Sequence, residues 1–485
     1  MSDASAPAMG TVTAGAPVAP LDLSFPHRLH VVGVGGPGMS AIAIALAEMG
    51  HDVSGSDLRE HPVLERVRAA GVDVRIGHDR SVVHGVDAVS ASTAIPEHNI
   101  ELDEARSTGV AVLRRAGMLA SICARAKSIG VAGTHGKTTS TSMLMLMLAE
   151  AGLRPNFVVG GDVTDVGTGA QWTRGEWMVV EADESDGTHL ELPLHGTILT
   201  NVEVDHLDHY GSLDAIVASF DRYLAQVPGP TVVSADDPVA RSLAERHGST
   251  TFGFSESATV RAIDLRVEAG SSTFTVQQHD GRGTGGSAVT LGEIHLPMRG
   301  RYNVLNALGA LAMALEIGVS FDDARDSLAK FGGVARRFDV RGTHGGATFV
   351  DDYAHLPSEI SAVLGGARHS GDGWKRVIAV FQPNRYNRIA EIWREYGDAF
   401  GDADVVVLTD VYASGTTPIP GVTGKLIVNA VTEADPTARV VWLPRRDDLV
   451  SFVAAEARDG DVVVSMGCGD IASFPTEVLH AREGR

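Results

Sequence analysis

The chain has 485 residues, 44% of them hydrophobic and 21% charged, which is ordinary for a soluble globular protein but too long for one hydrophobic core. Its formal net charge of −21 argues against nucleic acid or an anionic membrane as the main partner, because both require a basic surface. The two cysteines, Cys123 and Cys468, are too few for a disulfide framework and indicate a reducing compartment, so we expect a cytoplasmic protein.

The N-terminal segment is rich in alanine, proline and serine and has no basic stretch. We interpret residues 1–25 as a disordered leader rather than a signal peptide. From Leu29 onward, short apolar strands alternate with segments of helical periodicity, the pattern of parallel α/β layers. This pattern predicts three α/β domains, at residues 26–125, 126–338 and 339–485.

The first domain has a glycine-rich loop between a predicted strand, Leu29–Val34, and a predicted helix, Met39–Met49. Asp57 ends the next strand, 19 positions beyond the last glycine of the loop. This arrangement is typical of a dinucleotide site, and it suits any ligand with a pyrophosphate, such as a UDP-sugar, equally well. A nicotinamide enzyme and a purely structural glycine turn remain open. The glycines are Gly33, Gly35, Gly36 and Gly38.

The second domain begins with a strand, Ser128–Ala132, that leads through another glycine loop into a helix. In a phosphate-binding loop, backbone N–H groups surround the phosphates, a lysine contacts the β- and γ-phosphates, and a hydroxyl ligates Mg²⁺. Lys137 and Thr138 suit the last two roles, although the first glycine stands two residues closer than in the usual motif. The sequence therefore predicts ATP and Mg²⁺ binding by Gly133, Thr134, His135, Gly136, Lys137, Thr138 and Thr139.

Acidic residues and a histidine lie at or just after the ends of two further strands of the second domain. Glu181 and Glu184 lie at the end of strand Trp177–Ala182, and His206 follows strand Thr197–Val202. Carboxylates and a histidine beside a phosphate loop suit a phosphate-bound Mg²⁺, so we expect a metal site here, although solvated acidic loops are also common.

The pattern of apolar and polar residues changes near the end of the second domain. Residues 250–298 alternate apolar and polar positions between turn-rich stretches, which predicts a small antiparallel addition. In the helix that follows, Asn303 and Asn306 are candidates for contact with a nucleobase.

The third domain is a regular series of apolar strands and helical segments. Two of its strands, Ala347–Asp351 and Arg376–Phe381, are followed by motifs rich in polar and aromatic residues. Open α/β sheets bind ligands at the carboxyl ends of their strands, so we expect both motifs to face a ligand. The candidates are Asp351, Asp352, Tyr353, His355 and Arg385, with Arg337 in the linker before the domain.

Taken in order, these motifs resemble those of the Mur ligase family, and within it the branch that joins L-alanine to UDP-N-acetylmuramate. The resemblance extends from residue 30 to about residue 474 and covers essentially the whole folded chain. The matching stretches are VGVGGPGMSAIA, VSGSD, GTHGKTTST, EADESD, TNVEVDHLD, RYNVLNALGA, RRFDVRG, VDDYAHLPSE, FQPNRYNR and GDIASF.

The resemblance implies an α/β fold of three domains: an N-terminal Rossmann-like UDP-binding domain, a central P-loop ATPase-like domain with a mixed sheet, and a C-terminal Rossmann-like parallel domain for the amino acid. It also implies an ATP-dependent ligase of peptidoglycan synthesis. The muramate carboxylate would attack the γ-phosphate of ATP to form an acyl phosphate, and the amine of L-alanine would then displace phosphate. Such phosphoryl transfer requires mainly positioned positive charge, which agrees with the motifs.

By motif position, the resemblance gives each candidate a role. Lys137 stabilises the transferred phosphoryl group, and His355, Tyr353 and Arg385 surround the amino acid and the acyl group. The ATP residues are the phosphate loop with Asn303, Asn306, Arg337, Asp351 and Asp352. The metal residues are Thr138, His206 and Glu181, with Glu184 as the alternative to Glu181. The UDP residues are Gly33, Gly35, Gly36, Gly38, Met39, Ser40, Asp57, Ser92 and Thr93.

The third domain departs from the family pattern at four positions. Leu356 stands where the family has a second histidine, Asn384 and Asn387 replace a histidine and a hydroxyl residue, and Cys468 replaces an alanine. All four lie in the domain expected to bind the amino acid. A sibling ligase that adds a different amino acid or a peptide therefore remains open, as does a non-catalytic nucleotide-binding protein.

Two further observations narrow the alternatives. A nicotinamide-dependent dehydrogenase would explain the first glycine loop but neither the phosphate loop nor the third domain. Some Mur ligases hold a second Mg²⁺ with a carbamylated lysine, but no lysine lies between Lys137 and Lys330, so we expect His206 and carboxylates to hold any second metal.

The resemblance also implies the partners, which are UDP-N-acetylmuramate, L-alanine and ATP, bound by a monomer or a homodimer.

Overall fold

The computed structural model of the protein describes residues 20–92, 94–279 and 287–484. Within these ranges the strands form three sheets that follow one another along the chain. The predicted fold class, three α/β domains with a mixed central sheet, is confirmed. Residues 1–19 of the predicted leader lie outside the described residues, as does Thr93. The domain limits at residues 125 and 338 stay predictions.

The first sheet is parallel throughout and Rossmann-like. Its elements are β1 (Arg28–Val32), α1 (Pro37–Met49), β2 (Asp52–Asp57), α2 (Val63–Ala69), β3 (Asp73–Ile76), β4 (Ala88–Ala91), α3 (Ile100–Thr108), β5 (Ala111–Arg114) and α4 (Arg115–Cys123). The strand order is β3-β2-β1-β4-β5, so the chain reverses direction across the sheet next to β1. In such sheets the crevice at this reversal is the usual ligand position.

The second sheet is larger and mixed. Its elements are β6 (Lys127–Ala132), α5 (Lys137–Glu150), β7 (Asn156–Val163), β8 (Thr168–Gln171), β9 (Trp177–Glu181), β10 (Gly196–Leu199), α6 (Leu207–Tyr210), α7 (Leu213–Gln226), β11 (Thr231–Ser234), α8 (Pro238–His247), β12 (Thr250–Gly253), β13 (Val260–Glu268), β14 (Ser271–His279), β15 (Ala288–Leu296), α9 (Arg301–Glu316) and α10 (Phe321–Leu328). The order is β15-β14-β13-β12-β11-β10-β6-β9-β7-β8. The predicted antiparallel addition is confirmed, because β13, β14 and β15 pair antiparallel and extend the sheet at one edge.

The third sheet has the order β16-β17-β21-β18-β19-β20. Its elements are β16 (Asp339–His344), β17 (Ala347–Asp352), α11 (Pro357–Arg368), β18 (Arg376–Phe381), α12 (Tyr386–Ile392), β19 (Val405–Leu408), α13 (Lys425–Ala434), β20 (Val440–Trp442), α14 (Arg446–Glu456), β21 (Asp461–Met466) and α15 (Phe474–Glu483). The prediction of a parallel sheet is correct except at one edge, where β16 pairs antiparallel with β17. The sequence gives no apolar alternation for β16, because it is an exposed edge strand interrupted by a bulge between Val340 and Gly342.

Buried apolar side chains join the first two domains. One continuous cluster contains Leu46 and Met118 of the first domain together with Val180 and Tyr223 of the second. The third domain has two clusters of its own on the two faces of its sheet. No helix in residues 20–92, 94–279 and 287–484 combines the length and apolar character needed to cross a membrane.

The motif loops all follow the carboxyl ends of parallel strands. β1 leads into the first glycine loop, β6 into the phosphate loop, and β17 and β18 into the motifs of the third domain. Pro37 stands in the first turn of α1, where its missing N–H group has no helical partner to lose. The topology therefore directs all four motifs toward the ligand-binding edges of their sheets.

Candidate active site

The phosphate loop between β6 and α5 is braced by the segment after β10. The N–H groups of Thr134 and His135 donate to the carbonyl and the Oδ1 of Asn201, at 3.2 and 2.8 Å. Gly136 has a φ of 83°, which favours glycine, and a Cβ there would collide with the Asn306 side chain. The hydrogen bonds with Asn201 hold the loop in place, and the close approach of Asn306 requires glycine at Gly136.

Lys137 begins α5, and its ammonium group reaches back across the loop. Nζ donates to the carbonyl of Gly133 (2.6 Å) and to Oε1 of Glu184 (2.9 Å). Burial alone would lower the pKa of Lys137, but Glu184 and Asp183 raise it, so the ammonium stays charged. Burial raises the pKa of Glu184 to about 7 in spite of Lys137, with Asp183 adding a second negative charge nearby. The loop thus holds a fixed positive charge where nucleotide phosphates would lie.

The carboxylates beside the phosphate loop suit a hard cation. Within the described residues, the buried Oε2 of Glu184 has no hydrogen-bond partner. Burial raises the pKa of Glu181, although Lys137 and Thr138 lie close enough to oppose this effect. Carboxylate oxygens and a threonine hydroxyl are the donors that Mg²⁺ prefers. In the part of the chain that the structure describes, no three His, Cys, Asp or Glu side chains form a complete metal site by themselves.

A cavity of about 310 Å³ lies beside the phosphate loop, between the central and third domains. Asn303 and Asn306 of α9 line it from the central domain, together with Thr139 of α5. Nδ2 of Asn306 donates to Oδ1 of Asn303 (3.3 Å), whose own Nδ2 donates to the carbonyl of Arg299 (2.8 Å). The cavity volume and a wall that combines polar with apolar side chains suit a small polar molecule.

The third domain closes the opposite wall of this cavity. Arg337 and Asp352 line it, and Asp352 accepts the N–H groups of Phe338 and Ala354, both at 2.7 Å. Burial raises the pKa of Asp352 to about 6. The side chain of Asp351 instead contacts Arg336, because its Oδ2 accepts a hydrogen bond from Nε of Arg336 at 2.9 Å.

The side chain of His135 joins the phosphate loop to the third domain. Its Nδ1 lies 3.1 Å from Oε1 of Glu359 on α11, and its Nε2 lies 3.1 Å from Oε2 of Glu203. The hydroxyl of Ser358 contacts the same Nε2 (3.1 Å) and donates to Glu203 (2.6 Å). Burial alone would lower the pKa of His135, but Glu359 and Glu203 raise it to about 9. His135 is therefore a cation held between carboxylates of two domains.

His355 follows β17 and is held by its own domain. Its Nδ1 lies 3.1 Å from the carbonyl of Tyr353 and 3.1 Å from Oε2 of Glu359. Both partners are acceptors, which assigns the ring proton to Nδ1 and leaves Nε2 as a proton acceptor. Burial lowers the pKa of His355 to about 4, so the ring is neutral at pH 7. The Tyr396 hydroxyl donates to the carbonyl of His355 (2.8 Å) and fixes the backbone as well.

A buried ion pair forms a second bridge between the central and third domains. Nη2 and Nε of Arg388 donate to Oδ1 of Asp205 at 2.9 and 3.2 Å, and both side chains are 8% exposed. Asn384 accepts from Nη1 of Arg388 at 2.8 Å. His206 lies 3.1 Å from the other oxygen of Asp205 and lines a small cleft with Arg385. Arg385 and His206, from different domains, therefore share one cleft.

The glycine loop of the first domain is held by the end of β2. The N–H of Gly33 donates to the carbonyl of Ser56, and that of Gly35 donates to Oδ2 of Asp57, both at 2.8 Å. A Cβ at Gly35 would lie 2.8 Å from this oxygen, so the close approach requires glycine. The remaining loop residues are at the start of α1, with Gly36 as its N-cap and Gly38, Met39 and Ser40 in its first turn.

Arg115, at the start of α4, links this loop to the acidic loop of the central domain. Its Nη2 donates to Asp183 and Asp186, both at 2.9 Å. Its Nη1 lies 3.3 Å from the position of a Cβ on Gly38. One guanidinium group therefore contacts both the first glycine loop and the segment that supplies Glu184.

Three family models match the chain one after another. Residues 28–127 match the catalytic domain of the Mur ligase family, residues 131–314 the Mur ligase middle domain, and residues 336–469 the glutamate ligase domain of Mur ligases. The UDP-N-acetylmuramate–L-alanine ligase of Acidothermus cellulolyticus is 44% identical over 474 residues, which are 96% of this chain and 97% of the relative. This chain belongs to the Mur ligase family.

Two other members of the Mur ligase family support the assignment. The UDP-N-acetylmuramate–L-alanine ligase of Rubrobacter xylanophilus is 43% identical over 456 residues, with 93% of this chain and 99% of the relative covered. The crystal structure of the UDP-N-acetylmuramate–alanine ligase of Thermotoga maritima superposes with a TM-score of 0.79 at 26% identity, and covers 94% of this chain and 99% of that chain. The three-domain arrangement is thus one that a solved Mur ligase shares.

The structure brings together most residues that the motifs predict. One cavity is lined by His135, Gly136 and Thr139 of the phosphate loop together with Asn303, Asn306, Arg337 and Asp352. Glu184 contacts Lys137 of the same loop, and Glu181 lies near enough to raise the pKa of Lys137. Arg385 and His206 line a separate small cleft, while His355 contacts the carbonyl of Tyr353 and, through Glu359, is joined to His135. Asp351 is turned toward Arg336, and Ser92 lies in the loop after β4, where its Oγ accepts from the N–H of Ala94 (3.3 Å).

Sequence reasoning gives no role to five residues that hold this Mur ligase site together. Each stands inside or next to a motif, but the sequence does not show which distant partner it meets. They are Arg115, Glu203, Asp205, Glu359 and Arg388.

Proposed function

We propose that this Mur ligase joins the carboxylate of UDP-N-acetylmuramate to the amine of L-alanine, with ATP as the energy source, in peptidoglycan synthesis. One observation carries this proposal most directly. The phosphate loop and the motif after β17 line one cavity: His135 and Gly136 belong to the loop, and Ala354, Ser358 and Glu359 follow β17. The contact of His135 with Glu359 joins the two. A site that must first activate a carboxylate with ATP and then present it to an amine requires this juxtaposition.

The first step uses the central domain. The muramate carboxylate oxygen attacks the γ-phosphorus, the bond to the ADP oxygen breaks, and an acyl phosphate and ADP result. Lys137 would offset the negative charge on the transferred oxygens, and the N–H groups at the start of α5 would orient the phosphates. The Asn303–Asn306 wall of the cavity would receive the nucleoside.

Thr138, Glu181 and Glu184 would hold Mg²⁺, with His206 as a candidate ligand toward the third domain. When bound there, the ion would neutralise charge on the phosphates. The unpartnered Glu184 oxygen and the raised pKa of Glu181 support this assignment, because both indicate carboxylates that lack sufficient positive charge around them. Release of Lys137 from Glu184 would then leave its ammonium free for the nucleotide.

The second step requires an uncharged amine. The amine nitrogen attacks the acyl carbon, a tetrahedral intermediate forms, and the bond to the phosphate oxygen breaks with release of inorganic phosphate. His355, neutral and with Nε2 free to accept, is suited to take the proton that the ammonium must lose. Arg385 would offset the negative charge of the amino-acid carboxylate or of the intermediate.

The glycine loop of the first domain would bind the UDP pyrophosphate through Gly33 to Ser40, with Asp57, Ser92 and Thr93 beside it. Backbone N–H groups at the start of α1 support this role. The reduced cysteines and the acidic net charge are consistent with a cytoplasmic enzyme that acts on small molecules as a monomer or a homodimer.

ADP release in the presence of ATP, Mg²⁺ and UDP-N-acetylmuramate, measured with each of the twenty amino acids, tests the proposal. We expect ADP formation that depends on L-alanine. ADP formation that depends on another amino acid or on a peptide would support a ligase with a different amino substrate. The departures at Asn384 and Asn387 give that second candidate its support, since Asn387 lines the cleft with Arg385. Binding of both nucleotides without any amino-acid-dependent ADP would overturn the ligase assignment.

A further inference from the structure

Glu359 of α11 contacts both histidines at the boundary between the central and third domains. Its Oε1 lies 3.1 Å from Nδ1 of His135, and its Oε2 lies 3.1 Å from Nδ1 of His355. The side chains of Glu359, His135 and His355 are 11%, 16% and 16% exposed, so water competes little for these contacts. One carboxylate therefore spans the distance from the phosphate loop to the motif after β17.

The third domain fixes this carboxylate independently of His135. Oε2 of Glu359 accepts the backbone N–H groups of His355 (2.8 Å) and Leu356 (3.1 Å), which caps the first turn of α11. Burial alone would raise the pKa of Glu359, but the Nδ1–H of His355 and the charges of His135 and Arg337 hold it well below its usual range. The carboxylate is thus ionised and held in one orientation.

The phosphate-loop side of the contact is fixed as well. The backbone of His135 is held by Asn201, and its Nε2 contacts both Glu203 and Ser358. Rotation of the imidazole would break contacts to both domains at once. The separation of the phosphate loop from His355 is therefore set by a chain of two largely covered side chains, His135 and Glu359.

We propose that Glu359 is a positioning residue that aligns the amine-binding side of the site with the acyl phosphate. This inference rests on the proposed function. Phosphoryl transfer uses the loop and Lys137, which both belong to the central domain. Attack of the amine needs His355 from the third domain, so this second step depends most directly on the distance that Glu359 sets. Displacement by about 1 Å can slow such a step about 100-fold.

The test compares Glu359→Gln, His135→Asn and the double variant with wild type. A glutamine can still accept the two backbone N–H groups that cap α11, but it loses the charge that holds His135. Acyl-phosphate formation is measured by trapping with hydroxylamine, a small nucleophile that does not need the amino-acid site. Amide formation is measured with L-alanine, as kcat and KM separately. Glu395→Gln, at an exposed position of the same domain, serves as the matched control.

We expect Glu359→Gln to lower kcat for amide formation about 10- to 100-fold, with trapping by hydroxylamine within about 3-fold of wild type. The double variant should be no slower than the slower single variant, because both changes break one contact. Effects that multiply in the double variant would overturn the inference, and so would equal losses in trapping and in amide formation. A wild type that forms no alanine-dependent ADP would instead overturn the proposed function.

Discussion

The ammonium group of Lys137 and the buried carboxylate of Glu184 form an ion pair at 2.9 Å, at the point where the phosphate loop enters α5. The pair keeps a cation in the loop when no phosphate is present. It also leaves the second oxygen of Glu184 without a partner within the described residues. In the proposed function, phosphate oxygens would replace Glu184 at Lys137, and Mg²⁺ would take the carboxylate.

Substitution of Lys137 by alanine should abolish turnover and leave the UDP-substrate site intact. We expect kcat to fall at least about 100-fold, since one preorganised charge on the transferred phosphoryl group is lost. Binding of UDP-N-acetylmuramate, measured by calorimetry, should change little. Lys330→Ala is the control, because Lys330 is an exposed lysine paired with Glu150. If Lys137→Ala lost both turnover and UDP-N-acetylmuramate binding, the phosphate loop and the UDP-substrate site would not be independent.

Removal of the Arg388 side chain should weaken the attachment of the third domain. Arg388→Met leaves Asp205 buried without its cation, which typically costs about 3–5 kcal/mol. We expect a lower thermal midpoint and a larger radius of gyration by small-angle scattering. Arg445→Met, at an exposed ion pair with Asp448, should change neither quantity. Equal thermal midpoints and radii of gyration for the two variants would contradict a bridging role of Arg388. Adding Asp205→Asn to Arg388→Met should restore part of the lost thermal stability, because no unpaired buried charge then remains.

The protonation of His135 should make stability fall at alkaline pH. Burial alone would lower the pKa of His135, but Glu359 and Glu203 raise it from 6.5 to about 9 in the folded protein. A raised pKa stabilises the fold fully below about 6.5, and this contribution disappears as the pH rises through about 9. The largest effect is about 3 kcal/mol. Thermal midpoints between pH 6 and 10 should therefore decline more steeply for wild type than for His135→Asn, and parallel curves would show that His135 is neutral.

Leu356 should not determine which amino acid is used. Its side chain is 2% exposed and belongs to the apolar cluster of the third domain. Leu356→His, which introduces the residue expected from the family pattern, should lower the free energy of unfolding by about 1–3 kcal/mol through burial of a polar ring. The order of preference among amino acids should stay unchanged. Asn387→Thr is the comparison, because Asn387 lines the cleft with Arg385 and should alter KM for the amino acid.

The local parts of the site were predictable from the sequence because short-range rules determine them. Gly136 and Lys137 follow a strand and begin a helix, and this order alone specifies a phosphate loop. The same holds for Gly33 and Gly35 before α1. Each such motif lies within a few residues of one strand end, so no knowledge of the tertiary structure is needed to recognise it.

The contacts between domains were not predictable in this way. His135 and Glu359 are separated by 224 positions, and Arg388 and Asp205 by 183. A charged residue beside a motif has many potential partners, and only the packing of the domains selects one. The edge strand β16 was missed for a related reason, since an exposed strand has no core-facing pattern and is defined by its partner.

Asp57 has a consequence for which anions the first domain admits. Its carboxylate already accepts the N–H of Gly35 at 2.8 Å, so an anion that binds this N–H would displace a charge-assisted hydrogen bond worth about 1.5–3 kcal/mol. Free inorganic phosphate has only the loop with which to compensate for this loss. A nucleotide-sugar gains further contacts through its base and sugar. In the proposed function, the loop would therefore favour a nucleotide-sugar over free inorganic phosphate.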